Sequence, residues 1–446
     1  MHQLRWAYEN RAPIRTQNAI SFGMRSIRKS FQWWRARSDL SPPLTVDDSD
    51  HPKLYHRDTR RLNFQRNSFS RAGQCQHVFA KVSVVMKAHT CVLVTGVGGR
   101  SVGHQILHGL LLAGSKYRAV ACDADAFAFG LYQVPCRYRL PRADSPDYLQ
   151  ALLSVISRER VEVVLPGTEP EVRVIADSVD KLAAVGCVAV VNPSPVVHLC
   201  SNKATLYKWL GENGFVVPQS APASGWKELA RTCGFPLVAK PTTESGGSKN
   251  VALLNDEAEV EHYLTNLPPN LEVVFQQYVE APDSEYTVGV MTSRSGELID
   301  SIVMRRNLVG LSLGTERMIG GKRYALSTGY SQGYFVKDSF VQSQCEDLAL
   351  RIGARGAMNV QCRVSGGKLY VFEVHPQFSG TSSFRAEAGF NEPDVLIRNF
   401  CFGEKFDRLP YRTNVAAIRA FSQLVVPMEE VNATPLALAK EPVSSS

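Results

Sequence analysis

Cysteine pairs in Cys-x-x-Cys spacing are missing from this chain of 446 residues, although ten cysteines are scattered along it. Without that spacing there is no signal for a zinc ribbon or a thioredoxin-like redox pair. Cys91, Cys187 and Cys362 stand inside apolar, strand-like runs. They read as buried thiols of a reducing compartment, and a cytoplasmic location is expected. Runs of about 18 apolar residues are also missing, so no membrane-spanning helix is expected. No Ser/His/Asp or Cys/His constellation stands out, and nothing points to a covalent nucleophile. Basic charge is scarce outside one end: residues 1–90 hold 16 Lys and Arg against 6 Asp and Glu, whereas the remainder holds 34 against 36. The net charge of +8 is therefore an N-terminal property. The near-neutral body lacks the basic surface that nucleic-acid binding calls for.

What is there is a soluble composition, 44% hydrophobic and 21% charged, with length for two or three cores. Residues 1–89 lack sustained periodicity and are Arg-rich and acid-poor at their start, which predicts a basic, disordered extension. Three readings of it stay open: an arm for an acidic partner, a targeting segment, or a stretch upstream of an internal start at Met86.

Order is expected to begin at Cys91-Val92-Leu93-Val94-Thr95, a buried-type strand. The glycine-rich turn Gly96 to Gly103 follows, and then an amphipathic helix from His104 to Ala113. Further strands at 118–122, 161–165 and 188–191 alternate with helical patterns at 146–160 and 172–185, which predicts a parallel, doubly wound sheet. Pro166-Gly167-Thr168-Glu169 falls at the C-terminal end of a strand, where such sheets place ligands. The glycine turn is a weak match to a dinucleotide fingerprint, because Ser101 stands where the third glycine or alanine belongs. A tight strand-to-helix turn that binds no dinucleotide is the competing reading.

Farther along, Lys203 opens a helix and Lys240 ends the strand Leu237-Val238-Ala239-Lys240. Beyond it lies a glycine-serine loop, Ser245-Gly246-Gly247-Ser248, whose backbone N–H groups are suited to phosphate oxygens while the lysines neutralise them. Gln276-Gln277-Tyr278-Val279 leads into Glu285-Tyr286-Thr287-Val288, a segment fit for a hinge that reads adenine, with Glu285 facing a ribose hydroxyl. Gln361 lies twelve residues before Glu373 on two strands joined by Ser365-Gly366-Gly367-Lys368. Both supply oxygen, the ligand type Mg²⁺ prefers. Each feature has a bland alternative: surface lysines, a plain hairpin turn, and Glu285 as a cross-strand partner of an Arg or Lys.

Taken in this order the motifs resemble the ATP-grasp carboxylate-amine ligases, in the branch similar to the carbamoyl-phosphate synthetase large subunit. The resemblance runs from about Cys91 to about Phe406. It implies an α/β and α+β architecture, a Rossmann-like pre-ATP-grasp domain at 90–198 followed by a two-subdomain ATP-grasp fold at 199–428, with a tail at 429–446. It also implies residue roles. Lys203 and Lys240 would contact phosphates and Ser245, Gly246, Gly247 and Ser248 would cover them. Gln276, Gln277 and Val279 would hold adenine, Glu285 the ribose, and Gln361 with Glu373 the metal. The implied cofactors are ATP and Mg²⁺, with Mn²⁺ an alternative. The implied reaction makes an acyl phosphate from a carboxylate and passes it to an amine.

The pattern departs from that family at His375 and Gln377, which stand where an asparagine and an arginine are usual. His375 reads as a metal ligand through water, a base for the amine, or a spectator. Arg305, Arg306 and Arg385 are candidates for the missing cation, with Arg385 also a candidate clamp for the substrate carboxylate. The expected partners are small-molecule carboxylate and amine substrates, with no membrane, no nucleic acid for the folded body, and a homodimer left open. Rival classes are a non-catalytic or weakly active nucleotide binder with a degenerate metal site, an NAD(P) enzyme using Gly96 to Gly103, and nucleic-acid binding by the N-terminal arm.

Overall fold

Five short apolar runs build the first layer of the protein. β1 (Thr90–Thr95), β2 (Tyr117–Asp123), β3 (Cys136–Arg139), β4 (Val163–Leu165) and β5 (Val188–Ala189) form a parallel sheet in the order β3-β2-β1-β4-β5. The computed structural model describes residues 89–243 and 250–437. β1 and β4 are buried along almost their whole length, the pattern of parallel strands covered on both faces. The helix Val102–Leu112 begins two residues earlier than its periodicity predicts, because the Ser101 hydroxyl accepts from the His104 N–H and caps it. The predicted 172–185 helix is two shorter ones, Glu169–Ala176 and Val179–Ala184, with Thr168 preceding the first and Ser178 the second.

The glycine turn after β1 is shaped by packing. A Cβ on Gly103 would lie 2.2 Å from the Thr95 carbonyl oxygen, and one on Gly167 would lie 2.4 Å from the Gly103 Cα. Strand, helix and the β4 exit meet there at backbone distance. Asp123, the residue a dinucleotide reading would assign to a ribose, instead accepts from the Gly98 N–H at 2.9 Å and from the Asp125 N–H.

Two further layers follow. β6 (Ser220–Pro222), β7 (Leu237–Pro241), β8 (Ala252–Leu254) and β9 (Val273–Gln277) make an antiparallel sheet, β6-β9-β7-β8, with its own small core around Trp226, Leu237 and Phe275. The large sheet takes β10 (Glu285–Thr292), β11 (Leu298–Arg306), β14 (Gly333–Val336), β15 (Gly356–Ser365), β16 (Lys368–His375) and β17 (Ala416–Ala417) in the order β16-β15-β10-β11-β14-β17. Between β11 and β14 a separate hairpin, β12 (Leu313–Ile319) with β13 (Lys322–Ser327), packs Leu326 and Tyr324 against Val238 and Tyr278. The first and large sheets share one hydrophobic core, in which Val92 and Leu107 join Met291, Ile302 and Phe390. These two layers are thus fixed to each other by burial, while the four-stranded layer has a core of its own.

Of the expected 429–446 tail, the described part is docked. The Arg139 N–H donates to the Pro435 carbonyl at 2.8 Å and the Ala437 N–H to the Arg139 carbonyl at 2.9 Å, which extends the sheet past β3. The expectation for 1–89 falls outside the described residues, His89 excepted.

Candidate active site

The β15–β16 hairpin brings Gln361 and Glu373 together. Gly366 and Gly367 take left-handed φ values of 55° and 73°, the conformation a two-residue hairpin turn needs. From that turn the register runs regularly from Ser365 opposite Lys368 to Cys362 opposite Val371. It then shifts by one, so that Gln361 faces Glu373. Without this bulge Glu373 would pair with Val360 and point to the other face of the sheet. The extra residue, Phe372, turns its ring beneath the Lys240 ammonium, 5.0 Å from the ring centre.

Around this pair the predicted residues converge on one cleft of about 1420 Å³, lined by all three layers. Asn202 caps the helix Lys203–Glu212 through its side chain and so fixes Lys203 at the first helical position, 3.9 Å from the Glu373 carboxylate. Lys240, from β7, donates to the Gln276 side-chain oxygen at 2.9 Å. Burial pulls the Lys240 ammonium down to about 8 against the opposing attraction of Glu373. Burial opposes ionisation of Glu373 too, but His375, Lys203 and Lys240 outweigh it and hold the carboxyl well below the usual range. His375 lies 3.3 Å from Glu373 and 3.5 Å from the Gln361 amide nitrogen. Burial lowers its basicity, and the Glu373 charge more than restores it, so the imidazole is held toward its cationic form.

Gln276, Gln277 and Val279 line the cleft next to Lys240, together with the apolar Val238, Val251 and Leu326. The buried Gln276 amide nitrogen has no hydrogen-bond partner among the described residues, which is the mark of a wall awaiting a ligand. Glu285 lines the cleft but its carboxylate is engaged: Arg363, directly across the ladder, binds it at 2.8 and 2.9 Å, and Arg306 stands at 3.0 Å from its other oxygen. The cross-strand alternative for Glu285 therefore describes its contacts. Ser245, Gly246, Gly247 and Ser248 lie outside the described residues.

Arg306 lines the cleft, with Glu285 and the Thr328 carbonyl as partners. Arg305 does not; its Nε donates to the Asp283 carbonyl. Arg385 is the clear correction. The helix Ser382–Glu387 carries it into the interior, fully buried, with Nη1 2.8 Å from Glu392 and Nη2 2.6 Å from the Asn359 oxygen. A side chain so placed cannot clamp a substrate in the cleft.

Arg363 and Asn359 have no role assigned from the sequence, and the first domain has only the rival dinucleotide turn and the ligand-side strand end at Thr168. Arg363 holds Glu285 and donates to the Val279 and Ala325 carbonyls, joining hinge, ladder and hairpin. Asn359 stands two residues before Gln361 and so shares its face of the strand, a spacing that was open to reading. The first domain also lines the cleft through Gly98 to Ser101, Thr168 and Glu171. Burial pushes the Glu171 carboxyl up to about 7, and the Thr168 hydroxyl donates to it at 2.7 Å.

No group of three or more His, Cys, Asp and Glu side chains is arranged as a metal cage among the described residues. A single carboxylate facing an amide oxygen fits Mg²⁺ that arrives bound to phosphates and keeps its remaining positions for them and water.

Residues 92–191 match the family model described as PylC-like, N-terminal domain, and residues 200–381 match that of the ATP-grasp domain. The chain is 28% identical over 231 residues to the carbamoyl phosphate synthase large chain of Clostridium perfringens strain SM101, a match covering 47% of this chain and 20% of that protein. The same protein of Helicobacter pylori strain J99 is 22% identical over 259 residues, covering 54% of this chain and 22% of its own length. The chain thus spans about a fifth of these curated relatives. Among solved structures, N5-carboxyaminoimidazole synthetase of Staphylococcus aureus aligns with a TM-score of 0.51 at 14% identity, over 72% of this chain and 80% of that one. The biotin carboxylase domain of the Hydrogenobacter thermophilus 2-oxoglutarate carboxylase, in complex with MgADP, ADP and bicarbonate, aligns with a TM-score of 0.53 at 15% identity, over 73% of each chain. The chain thus carries a PylC-like N-terminal domain at 92–191 followed by an ATP-grasp domain at 200–381.

Proposed function

We propose that the protein is an ATP-dependent ligase that activates a carboxylate as an acyl phosphate for attack by an amine or other nitrogen nucleophile, with release of ADP and phosphate. The observation that carries this is the convergence of Lys203, Lys240, Gln361 and Glu373 in one cleft that first-domain residues such as Ser101 and Thr168 also line. Such a cleft has room for a nucleotide and an acceptor side by side. The names of its relatives, carbamoyl phosphate synthase and N5-carboxyaminoimidazole synthetase, support the same reaction class.

On this reading Gln276, Gln277 and Val279 hold the base between Val238, Val251 and Leu326. Glu285 is fixed by Arg363 and Arg306, and offers the ribose only what those ion pairs leave free. Lys203 and Lys240 neutralise phosphate charge, the main task in phosphoryl transfer, where positioning and electrostatics supply most of the rate. Mg²⁺, which Glu373 and Gln361 would hold, supplies further charge neutralisation on the phosphate oxygens. His375, kept cationic by Glu373, offsets that carboxylate and adds positive charge beside it.

The test is phosphate release over pooled carboxylates and amines, in parallel with calorimetry of Mg·ATP. Lys240→Ala and Glu373→Ala are expected to abolish release. Unchanged turnover in either would remove the site assignment. Tight Mg·ATP binding by the wild type with no release across the pool would favour the non-catalytic nucleotide binder.

A further inference from the structure

Arg385 reaches Asn359 across the space that Gly289 leaves empty, on the face of the large sheet that carries both. Gly289 on β10 sits opposite Asn359 on β15, and a Cβ there would fall 2.2 Å from Arg385 Nη1 and 2.7 Å from the Glu392 carboxylate. The missing side chain makes room for a buried ion pair between Arg385 and Glu392, neither of them exposed. A buried pair is costly to desolvate and contributes little net stability, so its placement calls for another reason. That reason is at its other end. Arg385 Nη2 donates to the Asn359 side-chain oxygen at 2.6 Å, and the Thr287 hydroxyl donates to the same oxygen at 2.9 Å.

An arginine has no acceptor, so two donors on one atom settle which way the carboxamide points. The oxygen faces the sheet and the NH₂ faces away from both donors. Asn359 lines the cleft, and the hydrogen bonds it receives from Arg385 and Thr287 both fall on its oxygen. Along β15, Arg363, Gln361 and Asn359 follow one another on the cleft face, each about 7 Å from the next. Arg363 stands at the hinge, Gln361 at the metal pair, and Asn359 one step beyond, opposite His375 and toward the first domain. Resting on the nucleotide reading proposed above, we infer that the Asn359 carboxamide is a fixed hydrogen-bond donor to an anionic oxygen at the transfer end of the cleft, on the transferring phosphoryl group or on the carboxylate that receives it, and that Arg385 is its positioning residue.

Calorimetry of the full chain with Mg·ADP and with the non-hydrolysable Mg·AMP-PNP tests this, together with phosphate release over pooled carboxylates. Asn359→Asp is isosteric and keeps an oxygen toward Arg385 and Thr287, but presents an acceptor to the cleft. If the oxygen belongs to the phosphoryl group, AMP-PNP weakens by about ten- to a hundredfold while ADP is unchanged. If it belongs to the acceptor carboxylate, both nucleotides bind as before and phosphate release falls by a similar factor. Equal weakening of both nucleotides, or no change in all three measurements, overturns the inference. Gly289→Ala, whose Cβ takes the space of the Arg385 guanidinium and so forces it off Asn359, is expected to give the same selective pattern. Should it not fold, Arg385→Lys, which keeps a cation for Glu392 with a shorter reach, takes its place. A wild-type pattern in the folded variant overturns the positioning role. Failure of the wild-type chain to bind Mg·ADP would instead remove the nucleotide reading, and this inference with it.

Discussion

On the proposed reading His375 sits where a second oxygen ligand would serve Mg²⁺ better, and what it shows is an electrostatic contact with Glu373. Its cationic form depends on Glu373, and in return it neutralises the carboxylate that Mg²⁺ needs. Removing the imidazole should free Glu373 for the metal. His375→Asn is expected to tighten Mg²⁺ binding to the nucleotide-loaded protein by several-fold and to retain phosphate release. The check is a magnesium titration of turnover, run with calorimetry of Mg·ATP. Loss of turnover with nucleotide binding intact would make His375 a chemical participant. Residue identity was legible here from the sequence because motif order carries it. Side-chain direction was not. Arg385 lies only ten residues beyond His375, the last residue of β16, yet a short helix and the space left by Gly289 bury its side chain against Glu392 and Asn359.

At the scale of elements, glycines divide into those that a neighbour forbids to change and those that nothing constrains. Gly103 lets the Val102–Leu112 helix lie on the β1 exit, with backbone atoms occupying the space of a side chain. Gly211 sits in the Lys203–Glu212 helix with open space around it. Gly103→Ala is expected to destabilise the fold by about 2–4 kcal/mol, because the clash is with backbone that cannot turn aside. Gly211→Ala is expected to stabilise it by about 0.5–1 kcal/mol through helix propensity. Denaturant midpoints of the two variants check the opposite signs. The alternation of strands and helices in 90–198 was legible because buried parallel strands are continuous apolar runs with helices between them. The bulge at Phe372 was not, since the apolar-polar alternation of β16 does not reveal which residue the ladder leaves unpaired. The β12–β13 hairpin was hidden in a segment rich in Arg, Gly and Ser, whose strands bury little of their own surface. Its packing on Tyr278 and Val238 exists only in three dimensions.

For the molecule as a whole, the nucleotide end of the cleft is shared between a four-stranded layer with its own core and a large sheet fused to the first domain. A ligand that touches both should tie them together. Mg·ATP at about a hundred times its Kd is expected to add close to ~3 kcal/mol to stability, read as a rise in Tm. Excess EDTA should remove most of that rise while leaving the apo Tm where it was, because no structural metal cage exists among the described residues. An apo Tm that falls with EDTA would point to a structural metal instead.

The docking of Pro435 and Ala437 beside Arg139 bears on the order in which the protein is made. The first sheet is the earliest layer of the described residues to be synthesised, yet one of its borders waits for a partner from the far end of the described chain. Until that partner arrives, β3 is an open strand edge of the kind that recruits other chains. The domain that starts folding first is therefore among the last to be finished, and the interval between the two is when a nascent chain is most exposed to mispairing.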